Sequence, residues 1–288
     1  MEIRFRTMTP NDIAGGMRLK TTAGWNQTEA DWRRFLEFDA DGTFVAEAAG
    51  RIVGTVSTIA YEDRIAWIGM MLVDPGFRRR GIGEGLMRMA LDHLRFRKIS
   101  VIGLDATPMG RPLYERLGFV ASSSLHRWSL DRCGMASKLS HSIDAHETHE
   151  YDLDAICRLD GIAFGADRSR LIRSFVVESP TRVVTCSDSR VPDGSAVLIA
   201  RQGAVADHLS AWLAPSATGA AKLLDMALAR TALPVVIADV PAEHAWAGAV
   251  LSARGFRIAR DLTRMYLADS AEVAQPVAHA AILGPEFG

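Results

Sequence analysis

Between residues 65 and 96 an apolar β run, a cluster of arginines and glycines, and an amphipathic helix follow one another directly. Ile65 to Val73 reads as a strand, and Asp74-Pro75-Gly76-Phe77 turns the chain. Arg78-Arg79-Arg80-Gly81-Ile82-Gly83 then leads into Leu86, Met87, Ala90, Leu91 and Leu94, which share one helical face. Glycines let the backbone bend tightly and present successive N–H groups, and the helix start adds a partial positive charge. A loop of this kind holds a phosphate or pyrophosphate, with arginines adding charge-assisted bonds of roughly 1.5–3 kcal/mol each. The competing reading is a helix start decorated with solvated arginines. A dinucleotide fold needs G-x-G-x-x-G directly after the strand, and the third glycine position is Leu86. A Walker A loop needs Gly-Lys-Ser/Thr, which is absent.

The elements around this loop read as an α/β unit. Ile3 to Arg6 alternates as a short strand, and Thr9-Pro10 opens a helix. Thr28 has capping-box spacing ahead of Trp32, Phe35 and Leu36. Thr43 to Ala48 and Ile52 to Ala60 form a hairpin, Ile99 to Leu104 a buried strand, and Arg111 to Leu117 a short helix ended by Gly118. Two further short strands are expected before Leu130. Residues 131–150 are polar and read as a linker. The pattern then recurs with helices at 153–164 and 168–178, strands at 183–186, 195–201 and 207–213, and a helix at 217–230. A strand at 235–240, a helix at 246–253 and a strand at 261–267 complete it. Arg254-Gly255-Phe256 echoes Leu117-Gly118-Phe119. The expected organisation is therefore a duplicated fold: a domain at 1–130, the linker, a second domain at 151–268, and a loose Ala/Pro-rich tail at 269–288.

Arg78-x-x-Gly81-x-Gly83 and Tyr114-Glu115-Arg116-Leu117-Gly118-Phe119 together resemble the GCN5-related N-acetyltransferases (GNAT family), whose signature is Q/R-x-x-G-x-G/A at a strand-to-helix turn. The resemblance covers about residues 2–130. The opening Arg6-x-Met8-Thr9-Pro10-x-Asp12 and the run Leu104 to Tyr114 are similar to a two-domain bacterial subgroup, the YitH-type proteins. The resemblance implies a mixed α/β sheet and two tandem acyltransferase-like domains, the second degenerate. It implies acetyl-CoA as acyl donor, its pyrophosphate on Arg78, Arg79, Arg80, Gly81, Ile82, Gly83 and Glu84. Met71, Leu72 and Val73 would meet the thioester and pantetheine arm as an added strand would, with Thr107 and Arg111 beside it. Tyr114 stands at the general-acid position. The alternative for Tyr114 is a core tyrosine that packs its helix.

The general base is where this chain departs from the family. Several relatives carry a glutamate eleven residues before the first Arg/Gln of the loop motif, and here that position is Trp67. Ile65 to Val73 holds no carboxylate; Glu62 and Asp63 precede it and Glu47 lies on the hairpin, and either one of these acts through a water chain or the amine arrives already neutral. Trp25, Asn26 and Trp67, with Tyr61, are expected to shape the acceptor pocket, although a tryptophan at a helix junction is commonly plain core.

In the second half, Ala214-Pro215-Ser216-Ala217-Thr218-Gly219 replaces the Arg/Gly loop, so its phosphate cradle is missing. Asp160, Asp167 and Arg168 could face an acceptor, or be solvated loop residues. His146-Glu147-Thr148-His149-Glu150 has the wrong spacing for a zinc helix, and no metal is expected. With 33 Lys+Arg against 34 Asp+Glu, the chain does not have the charge of a nucleic-acid binder. Three distant cysteines, no apolar run approaching ~18 residues and no leader-like segment point to a cytoplasmic protein without a membrane partner. The reading is an acetyl-CoA-dependent N-acetyltransferase acting on a small primary amine, alone or as a homodimer. A non-catalytic acyl-CoA-binding sensor and an assembly module are the rivals.

Overall fold

The structure is a computed structural model of the 288-residue chain, and it describes residues 2–133, 151–187, 195–214, 216–267 and 279–288. The linker at 134–150, with its histidines, lies outside the described residues. The elements run β1 (Arg4–Thr7), α1 (Ile13–Thr22), α2 (Glu29–Phe38), β2 (Thr43–Ala48), β3 (Arg51–Tyr61), β4 (Ile65–Val73), α3 (Ile82–Phe96), β5 (Val101–Ala106), α4 (Arg111–Arg116) and β6 (Phe119–Asp131). They continue with α5 (Leu153–Phe164), α6 (Ser169–Glu178), β7 (Val183–Ser187), β8 (Ser195–Gln202), β9 (Asp207–Leu213), α7 (Ala217–Arg230), β10 (Val235–Pro241), α8 (Ala245–Ser252), β11 (Arg257–Leu267) and β12 (His279–Ala281). This is the expected mixed α/β pattern, with one correction before Leu130. There β6 is a single 13-residue strand instead of two short ones.

The chain forms two compact units, and neither is a continuous stretch. The first comprises Met1–Ser122, Arg264–Val273 and Pro285–Gly288, and the second Ser123–Thr263 and Ala274–Gly284. Thus β6 starts in the first unit and ends in the second, while β11 does the reverse. The loose tail expected from residue 269 is corrected for 279–288: Ala280, Ala281, Leu283 and Phe287 are fully buried.

In the first unit, β1 to β4 pair antiparallel in chain order. Helix α3 lays Ile82, Leu86, Met87, Ala90, Leu91 and Leu94 onto this sheet, against Ala66 and Ile68 of β4 among others. Each fully buried aliphatic side chain contributes about 1.5–3 kcal/mol. Met265 joins the same core. Side chains alternate along a strand, so Trp67 and Gly69 point to the opposite face. Parallel to β4, β5 pairs with it only at Ile65↔Val101, Ala66↔Ile102 and Trp67↔Gly103. Beyond those pairs the two strands part.

The second unit repeats this plan. There β7, β8 and β9 are antiparallel, and β10 pairs parallel with β9 over three residues, Val236↔Asp207, Ile237↔His208 and Ala238↔Leu209. Helix α7 buries Ala220, Leu223, Leu224, Ala227 and Leu228 in the core. Asp160 and Arg168 are neither solvated nor turned to an acceptor. Both side chains are wholly buried, joined by two bonds of 2.8 and 2.9 Å, with the guanidinium 3.9 Å over the Phe164 ring.

Candidate active site

The parting of β4 and β5 is the first element of the site. Met70 sits at φ 53°, and the β3–β4 register shifts opposite it, so β4 kinks where its pairing with β5 ends. The Thr55 hydroxyl donates to the Met70 carbonyl at 2.7 Å and holds the kink. From Ile68 to Val73 the edge of β4 toward β5 makes no ladder with that strand among the described residues. Backbone N–H and C=O groups on such an edge are recognition sites for an amide-rich ligand.

The second element is the start of α3. Gly81 occupies the left-handed region at φ 76°, a conformation that a side chain would strain, and it supplies no side-chain cap. The first-turn N–H groups of Ile82, Gly83 and Glu84 therefore face no cap from their own helix start. A Cβ on Gly83 would lie 3.1 Å from Met71 Cε, 3.3 Å from Leu113 Cδ2 and 3.8 Å from a Val73 methyl. The loop, the outer half of β4 and α4 thus converge on one place.

The loop arginines differ from one another. Arg78 folds back, its Nε 3.3 Å from the Val73 carbonyl, and Arg80 reaches the Gly76 carbonyl at 3.4 Å and lies over the Phe77 ring. Arg79, at φ 60°, is exposed. Glu84 pairs with Arg88 at 2.7 Å, and Arg111 with Glu115 at 2.7 Å. Thr107 shapes the turn into α4, its hydroxyl accepting from Gly110 N at 3.2 Å.

Tyr114 lies in α4, edge-on to Phe119 at 6.1 Å. Among the described residues no hydrogen bond engages its hydroxyl. Burial penalises the phenolate and pushes the group above the ordinary phenol value, so it stays protonated.

Trp25 follows α1, its backbone tied to Lys20, whose ammonium burial pushes below the usual lysine value. Asn26 is buried beside it. Trp67, on β4, has Tyr266 edge-on at 5.8 Å and the Arg264 guanidinium 4.6 Å over its ring. Arg264 in turn holds Asp105 through two bonds of 2.9 Å. Of the carboxylates considered as a base, Glu47 is bound by Arg6 at 2.8 Å and Asp63 by Arg97, so both are already committed. Sequence reasoning missed the Asp105–Arg264 pair, Tyr266 and the segment Pro285–Gly288. The one signal for them is Gly69 and Gly103 inside apolar strands, since a glycine there marks a close approach. A Cβ on Gly103 would come within 2.3 Å of the Trp67 ring.

The second unit has the same split, but the chain itself fills it. Ala211, at φ 41°, kinks β9 as Met70 kinks β4. Into the gap between β9 and β10 runs β12, with His279↔Leu213 and Ala281↔Trp212 paired antiparallel and Ile282 N donating to the Asp239 carbonyl at 3.0 Å. The helix start is closed as well, because Ser216 caps α7 by accepting from Gly219 N at 3.1 Å. Below the split lies a buried charged network. Arg127 holds Asp239 at 2.7 and 2.6 Å, and His208 Nε2 is 3.1 Å from the same carboxylate. Arg127 holds Asp239 far below the usual carboxylate range against the opposing cost of burial, and burial keeps His208 below its ordinary value.

Comparison with known proteins agrees with this geometry. Residues 17–119 match the acetyltransferase (GNAT) family and residues 156–276 an acetyltransferase (GNAT) domain, so the chain belongs to the GNAT acetyltransferases and carries two such domains in tandem. It is 26% identical over 236 residues to a Bacillus subtilis protein described as the uncharacterized N-acetyltransferase YitH, covering 81% of this chain and 80% of that one. A putative acetyltransferase from Pyrococcus horikoshii superposes with TM-score 0.79 at 22% identity, covering 99% and 96% of the two chains. A tandem GNAT protein from the clavulanic acid biosynthesis pathway superposes with TM-score 0.63 at 16% identity, over 95% and 100%. These two structural likenesses speak to the fold. No metal-binding cluster and no helix long and apolar enough to cross a membrane occur among the described residues.

Proposed function

We propose that the first unit transfers an acetyl group from acetyl-CoA directly to a primary amine of a small acceptor, and that the second unit has lost its donor site. The observation that carries this reading is the split between β4 and β5, with an uncapped helix start and an arginine loop at its mouth. Acetyl-CoA fits these residues. The N–H groups of Ile82 to Glu84, with Arg78, Arg79 and Arg80, would hold the pyrophosphate. Met71, Leu72 and Val73 would take the amide-rich arm as an added strand, with Thr107 and Arg111 beside it, and the Met71 N–H would meet the thioester oxygen as negative charge develops there. Tyr114 would protonate the departing sulfur.

In the second unit, β12 and Ser216 take the positions that leave the first unit open. The β4 strand without a carboxylate favours one rival, a non-catalytic acyl-CoA sensor. Thiol release from acetyl-CoA in the presence of a panel of primary amines separates the two. Transfer gives amine-dependent CoA release and an N-acetyl product by mass. A protein that binds acetyl-CoA yet releases no thiol with any amine is the sensor.

A further inference from the structure

We propose that the segment Pro285–Gly288 sets the size of the acceptor in the first unit, with the Phe287 ring filling the space that a bulkier amine would need. This rests on the amine-transfer reading above and names its substrate class, short amines without an aromatic body.

Helix α3 covers one face of β4, and the donor arm would occupy the split beside Met71 to Val73. An amine therefore reaches the thioester carbon from the other face, to which Trp67 and Gly69 point. Two glycines shape that face. On β5, Gly103 admits the Trp67 ring, which a Cβ would meet at 2.3 Å. On β4, Gly69 admits a second stretch of backbone. A Cβ there would meet the Glu286 carbonyl oxygen at 2.7 Å and the Glu286 Cα at 2.9 Å. The stretch that makes this approach, Pro285–Gly288, belongs to the first unit.

Three anchors hold it in place. Trp67 Nε1 donates to the Pro285 carbonyl at 3.0 Å, and the Tyr61 hydroxyl donates to the Phe287 carbonyl at 2.7 Å. Phe287 stacks on Phe35 of α2 with centroids 5.1 Å apart and planes 12° apart. Both phenylalanines are fully buried. The one N–H of the Trp67 ring and the hydroxyl proton of Tyr61, two residues expected to shape the acceptor pocket, thus go to the backbone of this segment. The segment itself lines the acceptor side of β4, and its Phe287 ring fills the space against α2. Removing that ring opens room for one phenyl group on the face of Phe35. An apolar space of this kind takes up a benzene-sized guest, and an amine that carries its own phenyl group would stack there as Phe287 does.

The test uses the full chain as wild type, Phe287→Ala and Phe287→Leu, with CoA release as the readout. The acceptors are ethylamine, benzylamine, 2-phenylethylamine and 3-phenylpropylamine, so that the spacer length samples the reach from ring to thioester. Wild type is expected to favour ethylamine. In Phe287→Ala, kcat/KM for at least one phenylalkylamine relative to ethylamine is expected to rise at least tenfold, while acetyl-CoA affinity by calorimetry stays at the wild-type value. Phe287→Leu leaves a smaller space and perturbs folding less, and it is expected to shift the same ratio in the same direction by less. A phenylalanine that only packs the core would lower the melting temperature and leave the ratio where it was. An unchanged ratio in a variant that still binds acetyl-CoA overturns this proposal alone, as does a wild type that already takes the phenylalkylamines as well as ethylamine. Wild-type protein that releases no CoA with any of the four amines overturns the amine-transfer reading and this proposal with it.

Discussion

Replacing Tyr114 by phenylalanine removes one oxygen and leaves the ring edge-on to Phe119. The hydroxyl makes no hydrogen bond among the described residues, so none of the roughly 0.5–1.5 kcal/mol of a typical bond is lost. The melting temperature should therefore move by less than about 2 °C, given some 2–4 °C per kcal/mol for domains of this size. Acetyl-CoA affinity should also be unchanged, because the hydroxyl matters only while the C–S bond breaks. Burial keeps the phenol protonated, so it is a competent donor across the working pH range. A free thiol near 8.5 is the stronger acid at ordinary values, which limits the assistance, although the same desolvation strengthens the thiolate as a base. The expected loss in kcat is near the low end of general-acid effects, about 10²-fold or roughly 2.7 kcal/mol. Steady-state CoA release with the best amine, run beside a thermal melt, measures both quantities. Wild-type kcat in Tyr114→Phe would refute the acid role, as would a drop of several degrees with turnover intact.

Gly83→Trp places a large side chain where even a Cβ lies 3.1 Å from Met71 and 3.3 Å from Leu113. Acetyl-CoA affinity should fall at least tenfold, about 1.4 kcal/mol, and a folded variant with unchanged affinity would move the site elsewhere. Arg127→Ala strips the buried Asp239 of two bonds and should cost about 3–5 kcal/mol, seen as a fall of about 10 °C in the transition that contains the second unit. A change under 2 °C there would mean the network contributes little. Arg6 and the Thr9 N–H hold Asp12 at about 2 against the cost of its partial burial. Because the folded value is depressed, its stabilisation of about 2 kcal/mol is full above the ordinary carboxylate range and is lost as pH falls through about 2. Denaturant curves of wild type and Asp12→Asn should therefore differ at pH 7 and converge near pH 2. A gap that persists at pH 2 contradicts that linkage.

The local parts of this protein were legible in the sequence because they carry their own periodicity. Leu86, Met87, Ala90, Leu91 and Leu94 announced the buried face of α3, and Gly81 and Gly83 announced the turn before it. What stayed hidden depends on contacts distant along the chain. Trp67 bonds to Pro285 across 218 residues and Asp105 to Arg264 across 159, and no local pattern records either. The exchange of Arg264–Leu267 into the first unit and the seating of β12 in the second were invisible for the same reason. Asp160 and Arg168 looked like polar loop residues because eight positions of sequence do not reveal that each neutralises the other in a dry interior.

Calorimetric titration of the intact chain with acetyl-CoA tests the central claim most directly, because it counts the donor sites that the two splits provide. One acetyl-CoA per chain is expected, with binding weakened in Gly83→Trp, since β12 and Ser216 close the second split. A stoichiometry of two, or one site whose affinity is indifferent to Gly83, would contradict the account.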